Sequence, residues 1–175
     1  HFETLKGRGK RAPARGAEVN VRTQEWVEEA LASPDGRPFF LFINYMDAHT
    51  PYNTTARPGF LEHTPPFSHT QREVHEAKVN GRKRGPSRWI LEQTVDQYDL
   101  SIANLDESLG QFFAFLKEQD LFEDALIIVV SDHGEYLGEH HLLGHAKDVY
   151  EGAMQVPMIV KAPRQVDPKE RDGLI

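Results

Sequence analysis

Hydrophobic and polar positions divide this chain into a few strongly patterned stretches separated by polar ones. Residues 126–130 (LIIVV) form an unbroken apolar run rich in β-branched residues, which predicts a strand buried on both faces of a sheet. Residues 39–45 (FFLFINY), introduced by Pro38, predict a second such strand, and Met158, Ile159 and Val160 behind Pro157 predict a third. Between 88 and 118 the apolar residues Leu91, Val95, Tyr98, Ile102, Leu105, Leu109, Phe112 and Leu116 alternate steps of three and four, the spacing of one long amphipathic helix with a potential kink at Gly110. A short helix is predicted over 23–32, with Thr23 as its N-cap and the turn residues Ser33-Pro34-Asp35-Gly36 ending it, and another over 149–154. Residues 1–20 and 53–86 lack periodicity and read as loops. Strand, long helix, strand, loop with helix, strand is the alternation of an α/β fold, a largely parallel mixed sheet with helices on both faces.

Length and charge narrow the function classes. The 175 residues suffice for one core. The chain opens on His1 and stops at Gly173-Leu174-Ile175, as an apolar stretch begins, so residues 1–175 are expected to be one incomplete domain, an internal piece of a longer protein. A net charge of −7 and a pI near 5.7 argue against a nucleic-acid binder. The basic clusters KGRGKRAPAR (6–15) and RKRGPSR (82–88) are punctuated by Gly and Pro and read as exposed loops, with attraction of an anionic substrate as the alternative. No apolar run reaches the roughly 18 residues of a membrane span. With no cysteine, neither disulfides nor thiolate ligands exist in this segment, and the compartment stays open.

The chemistry sits at strand ends. The 126–130 strand delivers Ser131-Asp132-His133-Gly134-Glu135, and ligands of open α/β sheets gather at the carboxyl ends of strands. Two readings stand: a polar turn, or a carboxylate and an imidazole placed for a metal or an anion. Three of the nine histidines, His140, His141 and His145, follow within six residues. The 39–45 strand likewise ends in Asp47 and His49, where a structural turn and a catalytic histidine are both open; His63, His69 and His75 read as solvated loop residues.

In order, SDHGEYLGEHHLLGH, then YEGAMQVPMIV, resembles the metal-site signature of the sulfatase family within the alkaline phosphatase superfamily. PFFLF followed by His49-Thr50-Pro51-Tyr52 resembles a second element of that family. Tyr98, Asp99, Ile102, Asp106, Leu109 and Gly110 match its helix. The resemblance implies an alkaline phosphatase-like fold and cleavage of a sulfate ester in a sulfated small molecule or glycan. It implies Asp132 and His133 as ligands of one divalent metal ion, calcium by family. An imidazole at 133, where other members carry Asn, favours Mn, Fe or Zn over Ca or Mg and leaves the ion open among Ca, Mn, Mg and Zn. It also implies His49 near the bridging oxygen and His145 on the transferred anion, with Lys147 second because the family's Gly-Lys pair is Gly144-His145 here. The nucleophile implied is a formylglycine from a Cys/Ser-x-Pro-x-Arg motif, which this segment lacks; Pro86-Ser87-Arg88 has no correctly spaced proline after Ser87. The isolated segment is therefore expected to be inactive. The family setting suits a periplasmic or secreted protein. Phosphonate or phosphodiester hydrolysis, phospho-group transfer, and a non-catalytic binding domain on the same scaffold are the alternatives.

Overall fold

A computed structural model describes residues 15–34, 36–50, 52, 87–145 and 148–164. Along the chain run α1 (Gly16–Ala32), α2 (Arg88–Glu118), β1 (Ile127–Val130), β2 (Tyr136–Leu137), a 3₁₀ turn (Glu139–His141), β3 (Leu143–Gly144), α3 (Glu151–Met154) and β4 (Met158–Lys161). Two compact units are defined, one of residues 1–64 and 96–115, the other of 65–95 and 116–175.

In the first unit, α1 begins at Gly16 rather than near residue 23, and the reason is tertiary. Arg15 at the N-cap supplies no side-chain cap, and the Gly16 amide donates instead to the Asp47 carboxylate at 3.2 Å. An anionic acceptor there satisfies an orphan amide and complements the positive end of the helix dipole. A Cβ on Gly16 would lie 2.4 Å from Ser108 Oγ, so only glycine permits this approach. Thr23 lies inside the helix, its hydroxyl donating to the Val19 carbonyl at 2.8 Å. Val27 and Leu100 are buried in this unit, each contributing about 1.5–3 kcal/mol by removal from water. Asn20 donates to the Ser108 carbonyl at 2.7 Å and accepts from the Tyr45 hydroxyl at 2.7 Å, so the polar groups among them are paired.

The 39–45 run is not a strand here, because no strand among the described residues pairs with it. Phe39 meets Trp26 edge to face at 5.4 Å, while Phe40 and Phe42 are exposed. The run leads into a turn closed by His49 N–H donating to the Met46 carbonyl at 3.3 Å.

The long helix α2 runs unbroken through Gly110, as its periodicity predicts. In the second unit β1 and β4 pair antiparallel, Ile127 opposite Lys161 and Val130 opposite Met158, and both strand pairings among the described residues, this one and that of β2 with β3, are antiparallel. Burial on both faces does not hold for β1. Ile128 and Val130 stay open to solvent with their partners Val160 and Met158, since no described element covers that face. Lys161 fixes the far end of the pair by donating to the carbonyls of Phe122, Glu123 and Ala125. The segment 53–86, with His63, His69 and His75, lies outside the described residues, as does Lys147.

Candidate active site

The site is built on the excursion between β1 and β4. Its base is closed where Ser131 N–H donates to the Pro157 carbonyl at 3.4 Å. Ser131 Oγ donates to the His133 carbonyl at 2.6 Å, and Gly134 N–H donates to the Ala153 carbonyl at 2.8 Å, binding the Asp132-His133-Gly134 turn to α3. A Cβ on Gly134 would stand 2.2 Å from the Gly152 carbonyl oxygen, so the turn packs this closely only because residue 134 is glycine.

The next step is a hairpin of two-residue strands. β2 pairs with β3, Tyr136 opposite Gly144 and Leu137 opposite Leu143. That register sets residue 135 across from residue 145. Tyr136 is fully buried and forms a small core with Leu142 and Ala153, so the frame beneath the pair is packed. At the tip, Gly138 has φ +125°, and a Cβ there would strike the Leu91 side chain at 2.6 Å, so the hairpin rests against the start of α2.

The histidine-rich stretch therefore divides. His140 and His141 have positive φ and project from the exposed tip, His140 stacking on Tyr150 at 4.0 Å. His145 turns inward, its Nδ1 hydrogen-bonded to Glu135 and its ring 4.0 Å from that of His133 at 32°. His133 Nδ1 lies 2.9 Å from the Gly134 carbonyl. Carbonyl and carboxylate oxygens only accept, so these contacts require a proton on Nδ1 of both rings, and the neutral form of each ring has its electron pair on Nε2. Metal-binding and proton-handling imidazoles are anchored in this way.

The Glu135 side chain is 5% exposed and that of His145 24%, whereas the Asp132 side chain is 90% exposed, with Oδ1 3.8 Å from His133 Nε2. One ligand atom each from His133, Glu135 and His145 lies within 4.8 Å of the other two. Two imidazoles and a carboxylate suit a divalent cation, imidazole nitrogen favouring the later transition metals. Sequence reasoning missed Glu135. Its place opposite His145 is set by the β2–β3 register.

Of the residues singled out in the sequence, the second unit brings Asp132, His133 and His145 together. His49 belongs to the first unit, half-buried, its Nδ1 2.5 Å from the Thr50 carbonyl.

Comparison with known proteins places the chain. It is 30% identical over 154 residues to the multifunctional alkaline phosphatase superfamily protein PehA of Trinickia caryophylli, covering 75% of this chain and 30% of that one. A choline-sulfatase of Rhizobium meliloti is 26% identical over 141 residues, 73% of this chain and 27% of its own. Among solved structures, a sulfatase-like protein of Bacteroides fragilis superposes with a TM-score of 0.59 at 22% identity, over 87% of this chain and 32% of that one. A phosphonate monoester hydrolase of Silicibacter pomeroyi does so at 0.51 and 22% identity, over 87% and 34%; these two likenesses establish an α/β fold shared with such enzymes. The chain thus spans about a third or less of each of these relatives. The family model described as Sulfatase matches residues 5–175, and the chain belongs to the sulfatase family.

Proposed function

We propose that this chain is one part of the catalytic domain of a hydrolase that cleaves a sulfate ester, with its nucleophile supplied from outside residues 1–175. Ester cleavage of this kind needs a nucleophile in line with the leaving oxygen, positive charge on the non-bridging oxygens and a proton for the departing group. Asp132 and His133 Nε2 would hold the divalent cation, which supplies the positive charge when bound. His145 orients the transferred anion, Lys147 is the second candidate for that contact, and His49 is the residue that the family resemblance assigns to the bridging oxygen. The cation is calcium on the family expectation and manganese or zinc on the imidazole donor; the nucleophile expected from the family is a formylglycine. A sulfated small molecule or glycan is the substrate class.

The observation that supports this reading best is the anchoring of both imidazoles through Nδ1, His133 on a carbonyl and His145 on a carboxylate, beside the open Asp132 carboxylate. Turnover of an aryl sulfate by the parent protein tests it, with metal content measured before and after Asp132→Ala. Loss of bound metal together with turnover is the expected result, and unchanged metal content in the variant removes the ligand assignment. A second reading, hydrolysis of a phosphonate monoester or a phosphodiester, is favoured by the relative named as a multifunctional protein of the alkaline phosphatase superfamily. Running those esters beside the sulfate ester separates the two.

A further inference from the structure

We propose that Glu135 is a positioning residue that sets the orientation and the tautomer of His145. The inference deepens the proposed function and rests on it for its catalytic meaning.

The chain makes this pairing by topology. With Tyr136 opposite Gly144, the residues just outside the hairpin, 135 and 145, face each other across its open end. The frame that holds them is packed: Tyr136 is 0% exposed, Leu143 3% and Leu142 7%. At that end lies a carboxylate whose side chain is 5% exposed. A buried carboxylate has acceptors and no donor, and it is retained only where donors meet it. His145 Nδ1 is one such donor.

The other face of the His145 ring is bounded by the ring of His133, 4.0 Å away. Held on one side by a hydrogen bond and on another by a ring contact, the imidazole has one rotamer and one tautomer, with Nδ1 protonated and Nε2 keeping its electron pair. A neutral imidazole in water favours the opposite tautomer, so the arrangement depends on the acceptor at residue 135. A carboxylate behind a working histidine raises the basicity of its distal nitrogen, and loss of such a partner lowers activity or affinity by about 10- to 100-fold.

The experiment uses the parent protein labelled with ¹⁵N-histidine, the His145 signals being assigned by their absence in His145→Gln. At a pH where imidazole is neutral, the wild type is expected to show His145 with a protonated Nδ1 and an unprotonated Nε2. Glu135→Ala reverses or averages that pattern. Glu135→Leu, which fills the space without an acceptor, does the same and covers the case in which the alanine variant fails to fold. Glu135→Gln, whose amide oxygen can still accept from Nδ1, retains it. In turnover, Glu135→Ala and Glu135→Leu lower kcat by about 10- to 100-fold with a smaller change in KM, and Glu135→Gln restores most of the loss. An unaltered His145 pattern in Glu135→Leu overturns the proposal. So does loss of bound Mn²⁺ in Glu135→Gln with the tautomer intact, which would make Glu135 a metal ligand instead. If the wild type turns over no ester, the functional reading fails while the tautomer result still decides the role of Glu135.

Discussion

Tyr136 and Tyr150 are tied to each other in both directions: the Tyr136 hydroxyl accepts from the Tyr150 backbone N–H at 3.0 Å and donates to the Tyr150 carbonyl at 3.4 Å. Tyr150 is the N-cap residue of α3 and has no side-chain cap of its own, so a buried phenol does the capping from the hairpin. Tyr136→Phe is expected to cost about 1 kcal/mol and Tyr136→Ala about 3–5 kcal/mol, read as shifts of the urea midpoint at constant slope.

Gly134 tests the close packing of the site turn. The Cβ of Gly134→Ala would meet a backbone oxygen, which cannot rotate away as a side chain can. A loss of about 1–3 kcal/mol is expected, together with weaker metal binding as the Asp132-His133 turn lifts from α3. At Gly152 the nearest neighbours of a Cβ are Tyr136 ring atoms at 3.2 and 3.3 Å, so Gly152→Ala is expected to cost less. Denaturation of the two variants side by side checks the order.

Metal choice follows from donor chemistry. Binding to the folded state stabilises by about 2.7 kcal/mol when the free ion is at a hundred times its dissociation constant, so melting temperature reports the site without any substrate. With an imidazole donor at 133, Mn²⁺ or Zn²⁺ is expected to raise the melting temperature more than Ca²⁺ at equal concentration. His133→Ala should abolish that difference, and a larger rise with Ca²⁺ would return the site to oxygen donors alone.

Alkaline pH probes the first unit through Tyr45. Burial pushes its phenol well above the ordinary value of 10.0, and the nearby Asp47 carboxylate adds to the effect. The folded state therefore holds this proton more tightly than the unfolded chain. Its contribution is fully present below pH 10.0 and declines as the pH rises beyond it. Tyr45→Phe should flatten the alkaline limb of the stability curve, while the loss of the hydrogen bond to Asn20 lowers stability at neutral pH. Tyrosinate absorbance during alkaline titration checks which phenol resists ionisation.

What was legible in the sequence was the local part. The α2 helix declared itself because its apolar positions repeat over the whole of Arg88–Glu118, and β1 and β4 because each is a compact apolar run at a chain turn. The start of α1 was not legible, since it depends on a carboxylate 31 residues away in sequence that accepts from the Gly16 amide. Hydrophobicity also predicted a strand at 39–45, but a strand is defined by its partner, and none of the described strands lies beside it. At the site, residue identity pointed to Asp132, His133 and His145. Glu135 stayed hidden because strands of two residues leave almost no periodic trace, and only their register sets residue 135 across from residue 145.

The closed base of the excursion has a use beyond this protein. Residues 131–157 leave and rejoin the sheet at adjacent points, Val130 beside Met158, about 5 Å apart as neighbouring strands are. For an engineer that makes the whole insert a cartridge with matched ends. Spliced into the opened turn of an unrelated antiparallel hairpin, it would carry both imidazoles and their anchors along and ask the new host only for an apolar side chain where Leu91 now meets Gly138.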